Sequence, residues 1–317
     1  MKQEIYLHIG LYKCASTLIQ KTLHRYENNE LDVFTPDNGR HIYDKFREIL
    51  KDKNKRKNFN FFKSLSSKKK VIISIEGLLG HQSNGFYDIN KRFKILEKIF
   101  KKPKYLIIFR NQSDLLYSAW HQGLRNDLNL NFEEYINFKK SKLRHQLIKN
   151  FTQPTNYKVY DYNKIFSNYL KIFPKRAMFI NFSILEKNES LFLKEVIKFF
   201  KLENKFYKKR GIKYNQKMKQ YRTNFLAKKI IPTLHKLIMK ITIKISYYLC
   251  LIKRNKLWNP LSIIYLSIID HIFKSFYKST YENFYEKITK IKKIIDEYYK
   301  YKNKFFIKKL NYVSTKK

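Results

Sequence analysis

The chain has 317 residues, 68 Lys and Arg against 25 Asp and Glu, a formal net charge of +43 and 44% hydrophobic residues. That apolar content excludes disorder over most of the length, and the length allows one domain with extensions or two small ones. Two cysteines, Cys14 and Cys250, exclude a disulfide framework and have no partner at metal-ligand spacing, so no metal site is expected.

The N-terminal MKQEIYLHIG enters a strand-like segment without the basic and apolar regions of a leader, and a cytoplasmic protein is expected. Strands are expected at residues 4–10, 70–76, 104–110, 157–160 and 177–182, whose nearly continuous apolar runs suit burial on both faces. Helical patterns fall at 16–28, 90–101, 113–123, 132–150, 162–173 and 189–200, the last with Asn188 as its N-cap. Residues 52–70 read as a Lys, Asn and Ser-rich surface insertion. This alternation predicts an α/β fold with a central parallel sheet of about five strands and helices on both faces. From about Arg222 long helical patterns take over, dividing the chain into a domain at 1–221 and a helical extension at 222–317 that packs on it. The final helix is expected near 294–310, burying Ile295, Tyr298 and Phe305. Residues 230–252 are apolar, yet Lys236, Lys240 and Lys244 recur every turn, which excludes an ordinary spanning helix. An amphipathic helix remains, packed on the core or lying on a membrane surface.

The high charge has two readings. It suits nucleic acid, an anionic membrane or a polyanionic substrate. It also accompanies abundant Asn, Ile, Phe and Tyr with only 7 Gly and 6 Pro, as an AT-rich genome would favour, and the Lys is spread along the chain.

The segment HIGLYKCASTLIQ (8–20) reads as a strand, a tight turn holding Lys13, and a helix opened by Ser16 and Thr17. Helix N-terminal amides attract anions, and a Lys adds a full charge. It is not a Walker A loop, because Lys13 precedes the Ser-Thr pair by three residues. An ordinary strand–turn–helix is the alternative. After KYLIIFR, Arg110 stands at a strand end with Ser118 eight residues on, and Asn111 or Ser113 can cap the helix between them. A guanidinium beside a hydroxyl suits a phosphate dianion at the edge where parallel sheets bind ligands. His8, inside a strand, and His121 fit packed histidines.

HIGLYKCAST followed about a hundred residues later by IIFRNQSDLLYSAW resembles the 5′-phosphosulfate loop and 3′-phosphate motif of PAPS-dependent sulfotransferases, the bacterial, carbohydrate-acting kind in particular. The likeness extends to KVIISIEGLLG and to the closing IIDEYYKYKNKFFIKKLNY, and is vague over 222–290. It implies a P-loop-like sheet, PAPS as sulfuryl donor, PAP as product, and a hydroxyl acceptor, carbohydrate by analogy. It implies that Lys13, Cys14, Ala15, Ser16 and Thr17 cradle the 5′ side, while Arg110 and Ser118 hold the 3′-phosphate. Cys14-Ala15 depart from the more usual Thr-Gly or Ser-Gly. Glu76, ending VIISIE, is the implied base with His81 as second candidate, unless Glu76 only caps a loop or pairs with a Lys. In KFYKKRGIKYN the resemblance implies that Arg210 and Gly211, with Lys209 next, close over the nucleotide; a solvated charge run is the rival. Rival functions are a P-loop-like kinase, which lacks its Gly-rich loop, and a basic binder of nucleic acid or membrane, for which the charge is not clustered. No specific nucleic-acid partner is expected, and membrane contact would run through the C-terminal helices.

Overall fold

The computed structural model describes residues 3–51, 55–80, 86–125, 131–137, 155–203 and 278–314. His81, Lys209, Arg210, Gly211, the 230–252 segment and the division at 221/222 lie outside the described residues.

Five strands, β1 (Glu4–Gly10), β2 (Leu31–Phe34), β3 (Lys70–Ser74), β4 (Lys104–Phe109) and β5 (Ala177–Asn181), form one parallel sheet in the order β2-β3-β1-β4-β5. Flanking it are α1 (Ser16–Leu23), α2 (Arg40–Leu50), α3 (Lys55–Lys63), α4 (Ile89–Phe100), α5 (Gln112–Arg125), α6 (Phe132–Ile136), α7 (Tyr162–Ile165), α8 (Ser167–Lys171), α9 (Ser183–Lys187), α10 (Glu189–Phe199) and α11 (Lys278–Ser314). Tyr6, Leu7 and Ile9 of β1, Val71, Ile72 and Ile73 of β3, and Leu106, Ile107 and Ile108 of β4 are all fully buried. Both alternations of each strand are therefore covered, which is why these runs are continuous rather than alternating. Each such side chain contributes about 1.5–3 kcal/mol of burial. At the lower end Phe199 and Phe200, closing α10, meet the ring of Tyr6 edge-on at 5.7 Å each. Asn188 caps α10 by accepting from the Leu191 amide at 3.0 Å.

Several expectations need correcting. The fifth strand is Leu31–Phe34, not residues 157–160, where Asn156 accepts from the Lys158 amide and winds Tyr157–Val159 into a 3₁₀ turn. The supposed surface insertion contains α3, anchored by buried Phe62 and by Asn58, which donates to Glu48 at 2.9 Å. The 162–173 pattern breaks into α7 and α8 at Phe166, and α1 stops at Leu23, five residues early, in a 3₁₀ turn. The 132–150 pattern gives α6, ending at Ile136; its remainder lies largely outside the described residues.

The last helix docks back on α5, α6 and α7. Ile288, Ile295, Tyr299 and Phe306 are buried on one line at spacings of seven, four and seven. Ile295 meets the expectation and Tyr298 is half-buried, but Phe305 is 64% exposed and Phe306 takes its place at 1%. A slip of one residue is a rotation of about 100° on a helix. Phe306 enters a ring cluster of Phe109, Phe179, Tyr162 and Phe166 at centroid distances of 5.2 to 6.0 Å. Polar pairing fixes the register: Gln112 donates to Asn303 Oδ1 at 2.9 Å and accepts from Asn303 Nδ2 at 2.7 Å.

The two adjacent phenylalanines give opposite expectations. Phe306→Ala should lower unfolding free energy by about 3–5 kcal/mol in urea titration, while Phe305→Ala should stay within about 0.5 kcal/mol.

Candidate functional site

The site is set by strand order. The chain leaves β1 toward β2 and leaves β4 toward β5, so the two central neighbours diverge at their C-terminal ends. A crevice opens at such a switch point. Its walls are the turns that follow β1, β3 and β4.

After β1, Lys13 (φ 70°) and Ala15 (φ 65°) both take left-handed backbone conformations. A non-glycine residue there costs on the order of 1–3 kcal/mol. Ala15 is the N-cap of α1; its carbonyl accepts from the Leu18 and Ile19 amides and its methyl side chain offers no cap, which leaves the Ser16 and Thr17 amides without an acceptor in their own helix. Such amides carry partial positive charge. Ser16, whose hydroxyl would be the natural cap, is turned to the carboxylate of Glu76. Cys14 packs in the core, where burial keeps its thiol protonated, so this position offers the loop its backbone alone. Thr17 is exposed.

Glu76 opens the 3₁₀ turn Glu76–Leu78 directly after β3. Burial pushes its pKa above the usual carboxylate range; the Ser16 hydroxyl and the Lys13 charge pull in the opposite direction without cancelling it. The turn is held from behind by Arg92, which donates to the Gly77 carbonyl at 2.9 Å, pairs with Asp88 at 2.8 Å and lies 5.8 Å from the Phe46 ring. Tyr43 covers the same turn so closely that a Cβ on Gly77 would fall 2.7 Å from its ring. The Tyr12 phenol stands in the field of Glu76, Tyr43 and Arg92, and burial keeps it protonated.

After β4, the Arg110 guanidinium stacks 4.2 Å from the Phe182 ring and donates to Glu186 at 2.9 Å. Its Nε is buried with no hydrogen-bond partner among the described residues. Tyr162 donates to the Arg110 carbonyl, and Asn111 caps α5 by accepting from the Ser113 amide and hydroxyl at 2.9 and 2.8 Å. The Arg110 charge reaches Cys14 of the β1 loop, opposing in part the effect of burial on its thiol. Ser118 is buried on α5, about 9 Å along the helix axis from Gln112. From Asn111 an open groove of about 1260 Å³ runs along α11, lined by five lysines, among them Lys293, Lys300 and Lys304, and by the two acids Asp296 and Glu297.

Ser16 thus bonds Glu76, the Lys13 charge acts on the same carboxylate, and Arg110 stands at the end of the neighbouring strand. His8 is not part of the site: it is buried against Ser74 at 2.7 Å, its pKa pushed down to about 3. His121 is packed between Tyr117 and Trp120. Arg92, Tyr43, Phe182 and Glu186 escape sequence reasoning. For Arg92 a signal existed, because it sits in phase with the buried Ile89, Leu96 and Ile99 of α4, where a charge demands a partner.

Fold and site define a parallel α/β protein with a cationic, amide-lined loop and a desolvated carboxylate at its switch point. No family model matches the chain, and no curated protein does. Among solved structures it resembles a sulfotransferase from Alicyclobacillus acidocaldarius at 16% identity and a TM-score of 0.46, over 72% of this chain and 92% of that one. It resembles mouse sulfotransferase SULT7A1, solved with PAP, at 14% and 0.38, over 64% and 59%. The sulfotransferase domain from the curacin biosynthetic pathway follows at 12% and 0.33, over 66% and 79%. Likeness this distant transfers no activity to the chain.

A carboxyl whose folded pKa lies above its unfolded value favours the fold below the unfolded pKa and loses that contribution as pH rises through the folded one. Glu76→Gln should therefore raise the melting temperature more at pH 7.5 than at pH 4. Equal shifts at both would show that Glu76 titrates normally.

Proposed function

We propose that this chain is a PAPS-dependent sulfotransferase that transfers a sulfuryl group to a hydroxyl of a carbohydrate acceptor. The observation that carries the reading is the hydrogen bond of Ser16 to Glu76 at the N-terminus of α1, with the Lys13 charge acting on the same carboxylate. One side of this cluster attracts an anion. The other offers a carboxylate with raised proton affinity.

In this reading the loop amides of Cys14, Ala15, Ser16 and Thr17, with Lys13, receive the 5′-phosphosulfate. The acceptor oxygen forms a bond to sulfur as the sulfur–oxygen bond to the 5′-phosphate breaks, and PAP leaves. The hydroxyl proton passes to Glu76, whose raised pKa favours that acceptance. Lys13 and the amides stabilise the negative charge growing on the departing phosphate. The stacked Arg110 fork, whose Nε has no partner among the described residues, suits the 3′-phosphate, which would replace the Glu186 carboxylate, with Ser118 as the neighbouring hydroxyl. Arg210 and Gly211 would close over the nucleotide, and His81 is the second candidate for the base. The lysine-rich groove beside Asn111 favours an acceptor that is itself anionic.

The test has two arms. At a hundredfold excess over its Kd, PAP should stabilise the protein by about 2.7 kcal/mol, ADP far less, and Arg110→Ala should erase the difference. Equal stabilisation by PAP and ADP would sink the assignment. In single-turnover transfer from labelled PAPS, Glu76→Gln should slow chemistry by about 10²–10⁴-fold with PAP affinity nearly unchanged. Lys13→Ala should weaken binding and slow transfer together. If Glu76→Gln stays fast and His81→Ala does not, the base is His81.

A further inference from the structure

Helix α11 carries a second apolar line besides the one that docks it. Ile294, Tyr301 and Phe305, spaced by seven and four, lie on one line and are 57%, 78% and 64% exposed. Ile294 and Phe305 directly precede Ile295 and Phe306 of the docking line and Tyr301 follows Tyr299 by two, so this line is rotated about 120° from it. Lys308, Glu297 and Lys304 fall about 40°, 60° and 80° round the helix on its flank, and Lys300 comes next, so this flank holds three lysines against one acid. The charge is distributed unevenly along the helix. Toward its N-terminal end Lys287 pairs with Glu133 and Lys290 with Glu286. From Lys300 to Lys308 the sequence KYKNKFFIK has no acid, and no carboxylate among the described residues pairs with Lys300, Lys304 or Lys308. Tyr301 and Phe305 thus lie among Lys300, Lys304 and Lys308, which pair with no carboxylate among the described residues, over about 12 Å of helix, with Ile294, Asp296 and Glu297 just before them.

We propose that this face seats α11 on a bilayer surface rich in anionic lipid. Phe305 and Ile294 enter the acyl boundary, Tyr301 stays at headgroup level, and Lys304 and Lys308 reach the lipid phosphates with their methylene stems alongside the apolar line. Complementarity of charge selects the lipid, because the patch is cationic on a chain of net charge +43. Single-stranded nucleic acid fits less well: bases stack on rings, and Ile294 offers none. Attachment is in the plane of the surface, since no helix among the described residues is long and apolar enough to cross a membrane. This inference does not rest on the proposed chemistry, although Lys304 and Lys308 also line the groove beside Asn111, so Tyr301 and Phe305, which do not, carry its test.

The experiment is co-sedimentation of the full chain with neutral phosphatidylcholine vesicles and with vesicles containing about 30% phosphatidylglycerol, at about 0.15 M salt. Binding to the anionic vesicles alone is expected. A protein so basic adheres to anionic lipid through diffuse charge, so the deciding variant conserves charge: Tyr301→Ser with Phe305→Ser should weaken binding at least about tenfold. Its melting temperature should not move, because both side chains are exposed. Lys304→Gln with Lys308→Gln should also weaken binding to anionic vesicles. Unchanged sedimentation of the double serine variant overturns the proposal. So does a lowered melting temperature in that variant, which would mean that the chain itself covers the face, or a change in its oligomeric state, which would mean that a second copy does. Wild type that binds single-stranded RNA but no vesicle would equally overturn it.

Discussion

The backbone of β1 is hydrogen-bonded on both sides, to β3 through Glu4–His8 and to β4 through Tyr6–Gly10, and the site depends on that constraint. Parallel pairing in this register brings the ends of three strands to one edge, although Lys13, Glu76 and Arg110 are far apart in sequence. Neighbouring strands are about 4.8 Å apart, so residues that follow β3 and β4 stand roughly 10 Å from each other across the end of β1. The loop after β1 sits between them. Its two left-handed residues and its missing cap are tolerated because the strand beneath cannot shift.

Around this edge the polar groups are arranged unequally. Glu76 is desolvated but supplied with one hydroxyl and one nearby cation, which leaves it a carboxylate with a strong appetite for a proton. Arg110 is the reverse case: a permanent cation, stacked and mostly enclosed, whose one carboxylate partner is half-exposed and held by a single contact. Cys14 lies between them and takes no charge. A site that prepares one group to accept a proton and another to accept an anion has its division of labour fixed by burial rather than by residue type.

The three central strands were legible because a run such as YLIIF has no polar alternation to mislead. The four-residue LDVF was not, since an edge strand of that length, half-exposed at Asp32 and Phe34, carries almost no periodic signal. YKVY looks equally strand-like, and a single local acceptor on Asn156 decided otherwise. Lys13, Ser16, Glu76 and Arg110 could each be picked from strand ends and helix starts. Their partners could not: the contact between Ser16 and Glu76 spans sixty residues, and the Arg110–Glu186 bond spans 76. On α11 the helix was legible but its rotation was not, because Phe305 and Phe306 are identical residues and only the packed rings choose between them.

The reciprocal amide pair between Gln112 and Asn303 carries a consequence for the order in which the molecule is made. Gln112 opens the helix directly behind Arg110 and is buried, and the amide that satisfies it lies 191 residues downstream. At about 5–20 residues per second a ribosome needs roughly 10–40 s to reach Asn303 after Gln112 has been added. During that interval β1, β3 and β4 can already pair, while the Arg110 wall stands with a polar group and the Phe109 ring uncovered. A nascent chain whose strands pair in that interval would have a sheet before the Gln112–Asn303 pair could form, and α11 would complete the Arg110 wall.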